Sequence, residues 1–124
     1  MSAQYEAVVE MLGIYFDGLY HSDTKRLAQV FHPKARYVCA TEDRLVEMGM
    51  DEYFPIVDKR PSPASRNEAR ADRIVSIAFA GPKTAIATVN CAIGPKRFTD
   101  LLSLILQDGR WQIISKNFHF DLAP

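Results

Sequence analysis

The sequence predicts an α+β fold, with helices packed on one face of an antiparallel sheet. Three observations carry this reading. Helical periodicity is confined to the first half of the chain, strand-like alternation fills the second half, and the stretch Arg97 to Phe120 reads as two long strands joined at Gln107-Asp108-Gly109-Arg110. In the first of these strands Phe98, Asp100, Leu102, Leu104 and Leu106 alternate with Thr99, Leu101, Ser103, Ile105 and Gln107. In the second, Trp111, Ile113 and Ser115 take one face, and Gln112, Ile114, Lys116 and Phe118 the other. A hairpin wetted on one side carries apolar residues on one face only. Helices are therefore expected on one face, and a subunit or more sheet on the other.

Ala3 to Tyr20 reads as a helix because Tyr5, Val8, Val9, Leu12, Tyr15, Phe16 and Leu19 recur at steps of three and one. His21-Ser22-Asp23 breaks it. Ser22 or Asp23 can then cap a short helix, Thr24 to Val30, with Leu27, Val30 and Phe31 facing inward. Pro33 stops that helix, since the residue before a proline avoids helical angles. Ala35 to Ala40 suits a short strand, and Thr41 to Met48 a loop or weak strand. Met50 to Lys59 reads as a third helix with Tyr53, Phe54, Ile56 and Val57 as its apolar positions, although Pro55 is comfortable only in a first turn. Pro61-Ser62-Pro63-Ala64-Ser65 is a loop. Strands are expected over Ala71 to Ala80 and Thr84 to Ile93, with turns at Gly81-Pro82-Lys83 and Gly94-Pro95-Lys96.

Composition bounds the function. The 124 residues suit one domain, 1–124, with no internal repeat or linker. Lys+Arg and Asp+Glu both number 15, so no net charge calls for a nucleic-acid partner or opposes self-association. No apolar run approaches a membrane span, and MSAQYEAVVEML, with Glu6 and Glu10, is not expected to be a signal peptide. A cytoplasmic protein is the default expectation. Cys39 and Cys91 lie in separate candidate strands and form no metal motif; two small buried thiols in a reducing compartment are expected.

There is no phosphate-cradling glycine loop, no metal-ligand cluster and no nucleophile elbow, so neither metal nor cofactor is expected. Asp100 is the most informative polar residue, because its neighbours are bulky and apolar. Either it pairs with Lys116 on the next strand or it lines a cavity, where its pKa would rise and it could donate a proton. His32, before Pro33, is expected to bond the last free carbonyls of the helix, with a catalytic role as the alternative. His21 reads as solvated; His119 either lines a cavity mouth or faces water. Tyr15, Tyr37 and Tyr53 each read alone as core tyrosines with satisfied hydroxyls, and Trp111 as a core anchor.

A long helix ending Tyr15-Phe16-Asp17-Gly18-Leu19, then Asp23, then LAQVFHPKARYV, and last FTDLLSL and DGRWQIISK, together resemble the nuclear transport factor 2-like superfamily. Within it the chain is similar to small bacterial proteins grouped as SnoaL-like or "Putative lumazine-binding". The resemblance covers essentially the whole chain. It implies a cone-shaped, cystatin-like fold: a curved antiparallel sheet packed on three N-terminal helices, with a pocket between them. Many relatives form dimers through the outer sheet face, which suits the two-sided hairpin. Ketosteroid isomerase shares this fold. Its two oxyanion-hole donors fall on Tyr15 and Asp100, but its catalytic base falls near Cys39, which is no carboxylate. Isomerisation by that route is therefore not expected.

The leading expectation is a homodimeric protein whose pocket binds a small, flat or apolar ligand. Tyr15 and Asp100 would supply polar groups, and Tyr37, Phe54 and Trp111 the walls. One alternative is a cofactor-free isomerase, dehydratase or cyclase using His32, Asp100 or Lys116 as acid and base. Another is an interaction module whose pocket is incidental.

Overall fold

A computed structural model describes residues 2–124. Helix α1 spans Ala3–Tyr20, α2 Thr24–Val30 and α3 Met50–Lys59. The strands are β1 Phe31–Cys39, β2 Val46–Gly49, β3 Arg73–Phe79, β4 Thr84–Ile93, β5 Lys96–Gln107 and β6 Arg110–Leu122. They form one curved sheet of order β2-β1-β6-β5-β4-β3, antiparallel throughout except where β1 runs parallel to β6. The three helices cover its concave face, as the α+β reading expects.

Local chemistry sets the helix ends. Ser2 Oγ accepts the Tyr5 N–H at 3.1 Å and caps α1. Val8, Leu12, Tyr15 and Leu19 form the buried stripe of α1, which the sequence periodicity traced. Asp23, not Ser22, caps α2, accepting from the N–H groups of Lys25 and Arg26. Gly18 lets the two helices touch: a Cβ there would lie 2.6 Å from Leu27 Cδ2.

Two prolines behave differently from expectation. Pro33 does not end α2; the chain has already entered β1 at Phe31. Because Pro33 offers no N–H, the β1–β6 ladder breaks between Phe31 and Arg36. His32 therefore does not bond the carbonyls of α2. Its Nδ1 accepts from Lys34 N–H at 3.0 Å, and its Nε2 lies 3.0 Å from Gln107 Oε1. Pro55 sits inside α3 beyond the first turn, on an exposed face where water can satisfy the carbonyl it leaves free.

The hairpin departs from strict alternation. Ser103 pairs with Ser115 but Leu104 pairs with Ile113, so Ile114 is an extra residue in a bulge. A bulge shifts the facing of a strand by one position and bends the sheet. Lys116 and Phe118 consequently share the concave face with Trp111 and Ile113; the sequence alternation had placed them on opposite faces. Asp108 (φ 53°) and Gly109 (φ 75°) make the tight turn, both in the left-handed region that Asn, Asp and Gly tolerate.

The core lies between α1 and the sheet. On β4 the inward side chains are small, Ala85, Ala87, Val89 and Cys91. On β5 and β6 they are Leu102, Leu104, Trp111 and Ile113. Cys39 and Cys91 are free and buried. No helix among the described residues is long and apolar enough to cross a membrane.

Candidate functional site

The bulge in β6 brings Lys116 beside Asp100, one diagonal step across the β5–β6 ladder. Both are buried, at 4% and 0% exposure. The Tyr15 hydroxyl donates to Asp100 Oδ2 at 2.6 Å, and Lys116 Nζ stands 3.9 Å from the same oxygen. That spacing gives Coulombic attraction without a direct hydrogen bond. Aromatic rings surround the ammonium, with centroids at 5.1 Å (Phe118), 5.3 Å (Tyr15), 5.5 Å (Tyr37) and 5.7 Å (Tyr53). Burial works against the charge on Lys116, yet Asp100 and the tyrosines outweigh it and hold its pKa above the ordinary lysine value. Burial first, then Asp100, pushes the Tyr15 hydroxyl well above the usual phenol range. Asp100 therefore accepts one hydrogen bond, from Tyr15, beside the Lys116 charge, with its Oδ1 left without a partner.

A cavity of about 330 Å3 opens next to this group, lined by the C-terminal part of β1, the start of β5, the end of β6 and the residues after α3. Tyr37, Cys39, Phe98 and Phe118 form its inner wall. Tyr37 stacks on Tyr53 at 4.4 Å and meets Phe118 edge-on at 4.8 Å. Phe98 lies 5.7 Å from Phe118, so the rings form one continuous aromatic surface. Burial pushes the Tyr37 hydroxyl up to about 12, so it is a neutral donor at physiological pH. The remaining wall and rim carry Arg44, Arg60, Arg66 and Lys96 against a single carboxylate, Glu42. Lys96 Nζ sits over the Phe120 ring at 4.5 Å. Arg60, at the C-cap of α3, has its Nε and Nη2 buried with no hydrogen-bond partner.

The residues expected at a pocket lie in three places. Tyr37 lines the cavity, while Tyr15, Asp100 and Lys116 form the buried group behind its wall. Phe54 flanks a separate shallow depression near Phe31 and Met50. Trp111 and His32 lie at the hairpin turn, Trp111 beside Met11 and Val30, and His32 against Gln107. His119 is exposed and bonds Thr41 and Asp121. Among the described residues, no group of three or more His, Cys, Asp or Glu is placed to hold a metal.

Arg60, Phe98, Phe118 and the rim cations were missed from sequence. A signal existed for Phe98: it shares an alternation set with Asp100. Phe118 shares a set with Lys116, but without the bulge that set points outward. For Arg60 the only hint was its place between the end of α3 and Pro61.

Comparison with known proteins places this geometry. Residues 3–119 match the family described as "Putative lumazine-binding". A curated relative, Aldolase FrzH of Cladobotryum sp, is 28% identical over 120 residues, covering 95% of this chain and 92% of that protein. Among solved structures, an NTF2-like protein of unknown function from Shewanella baltica superposes with a TM-score of 0.87 at 24% identity, over 99% of both chains. An NTF-2 like protein of unknown function from Silicibacter pomeroyi gives 0.80 at 21% identity, over 98% of this chain and 100% of that one. A ketosteroid isomerase-like protein from Erwinia carotovora atroseptica gives 0.75 at 10% identity, over 97% and 98%. These structures share the cone-shaped fold that the sequence resemblance implied.

Proposed function

The chain belongs to the "Putative lumazine-binding" family of NTF2-like proteins, and from that premise we propose that it binds a small, flat molecule in the cavity between Tyr37, Phe98 and Phe118. The cavity itself carries this reading. Its volume falls in the range of small-ligand sites, roughly 300–1,000 Å3, which pair apolar walls with a few polar groups. Continuous aromatic faces favour a planar ligand. The neutral Tyr37 hydroxyl is a candidate donor to it. Tyr15, Asp100 and Lys116 support the wall from behind. The family description names lumazine, itself a flat heteroaromatic. Titrating lumazine into isotopically labelled protein tests the reading. Amide shifts should cluster at Cys39, Ile93, Phe98 and Phe118. Shifts centred on Trp111 or Phe54, or no shifts at saturation, would contradict it.

A second reading, a cofactor-free enzyme, draws support from the likeness to a protein named as an aldolase. In that case Tyr37 would polarise a substrate carbonyl as a neutral donor. Binding is preferred because the acid–base candidates do not converge on one cavity point. His32 is at the far hairpin turn, and Lys116 and Asp100 lie behind the wall.

We further propose a homodimer through the outer sheet face, where Ile86 and Leu101 stand exposed at 44% and 43% on neighbouring strands. Zero net charge does little to oppose that association. Two free, buried cysteines suit a cytoplasmic setting.

A further inference from the structure

We infer that the cavity selects a carboxylate on its flat ligand, with the Arg60 guanidinium as the anchor. The inference rests on the pocket reading above and names the ligand's charge. A guanidinium stays protonated at any physiological pH. Burying one without a partner is costly, so buried arginines are normally paired. The fully buried cation of this region obeys the rule, since Lys116 has Asp100 at 3.9 Å, whereas Arg60 is half-buried with Nε and Nη2 covered. Arg60 has no carboxylate within ion-pair distance among the described residues, although it lines the cavity.

The identity of its two unmatched atoms narrows the ligand. Nε–H and Nη2–H lie along one edge of the guanidinium plane. That edge makes the side-on, bidentate fork that matches the two oxygens of a carboxylate. Both donors lack a partner, and both are covered from water in the ligand-free protein, so the guanidinium turns this edge toward the cavity as the carboxylate enters. Arg66 and Lys96 at the rim add positive charge that draws an anion inward. The wall facing them is aromatic, so the body of the ligand is apolar and its charge sits at one end. An aryl or heteroaryl carboxylate satisfies both halves of the site.

Ligand-observed NMR with matched pairs tests this: benzoate against benzamide, and 2-naphthoate against 2-naphthamide. Each acid should bind the wild-type protein about tenfold or more tightly than its amide, as charge-assisted bidentate bonds imply. Arg60→Met should reduce that preference to within about twofold, and Arg60→Lys should keep part of it, since an ammonium retains the charge but not the fork. The ligand-free Arg60→Met protein should melt at or above the wild-type temperature, because two covered N–H-bearing nitrogens without partners have been removed. Equal binding of acid and amide, or a preference that survives Arg60→Met, overturns the inference while leaving the pocket reading intact. Phenyl phosphate bound more tightly than benzoate would overturn the carboxylate assignment. A fall of several degrees in Arg60→Met would reveal internal partners for the guanidinium and also overturn it. If neither acids nor amides bind up to their solubility limits, the pocket reading fails with it.

Discussion

Replacing Asp100 with leucine leaves the Lys116 ammonium in the core with aromatic faces and no counter-charge. Removing one partner of a buried ion pair typically costs about 3–5 kcal/mol, because the other charge is left uncompensated. The hydrogen bond from Tyr15 to the charged carboxylate is lost too, and such bonds are worth about 1.5–3 kcal/mol. The two losses share one group, so the expected total is about 4–6 kcal/mol, against a whole-domain stability of about 5–15 kcal/mol. Asp100→Leu should therefore be mostly unfolded at 37 °C, or melt lower by roughly 15 °C or more. The double variant Asp100→Leu/Lys116→Met removes both charges. It should recover most of the loss, since apolar replacement of a buried pair is often neutral or stabilising. Urea denaturation followed by circular dichroism measures all three proteins. A loss under about 1 kcal/mol in Asp100→Leu, or a double variant no better than the single, would refute the paired, load-sharing role given to Asp100 and Lys116.

The same group sets a pH dependence. The folded pKa values of Lys116, Tyr15 and Tyr37 all lie above their ordinary values, Tyr37 reaching about 12. A raised folded pKa gives stability that is complete below the unfolded pKa and lost as pH rises through the folded one. Urea midpoints should show no loss from these groups between pH 6 and about 9 and fall above about 10; a fall already at pH 8 that Tyr37→Phe abolishes would contradict the assignment. Pro55→Ala should stabilise the protein by about 1 kcal/mol, because the exposed middle of α3 regains a backbone bond; an unchanged or lowered midpoint would show that the proline's stiffening of the unfolded chain matters more. Ile86→Lys/Leu101→Lys should convert a dimer to a monomer in light scattering, with little change in monomer fold; a wild type that is itself monomeric would remove the proposed interface.

How much of this the chain disclosed depended on whether local rules held. The bounds of α1, α2 and α3 were legible because apolar spacing runs through each, and the turn at His21-Ser22-Asp23 separates the first two. β4 was equally clear, since each end meets a Gly-Pro turn. The faces of β6 were not, because a bulge at Ile114 carries no distinctive residue type. That one inserted residue decides whether Lys116 faces Asp100 or water. Asp100 itself was legible as out of place among leucines, and both readings of it anticipated a partner or a cavity; Lys116 is that partner. The cavity's cations were illegible for a different reason. Arg44, Arg60, Arg66 and Lys96 come from four separate turns and ends, and only the folded chain brings them together.

The central claim is that a ligand sits between Tyr37, Phe98 and Phe118 with Arg60 at its charged end. A crystal structure of the protein soaked with 2-naphthoate tests it most directly. The account predicts a naphthyl ring against Phe98 and Phe118, with both carboxylate oxygens at hydrogen-bond distance from Arg60 Nε and Nη2. A cavity closed by its own side chains, or a carboxylate pointing to solvent while Arg60 bonds the protein, would contradict it.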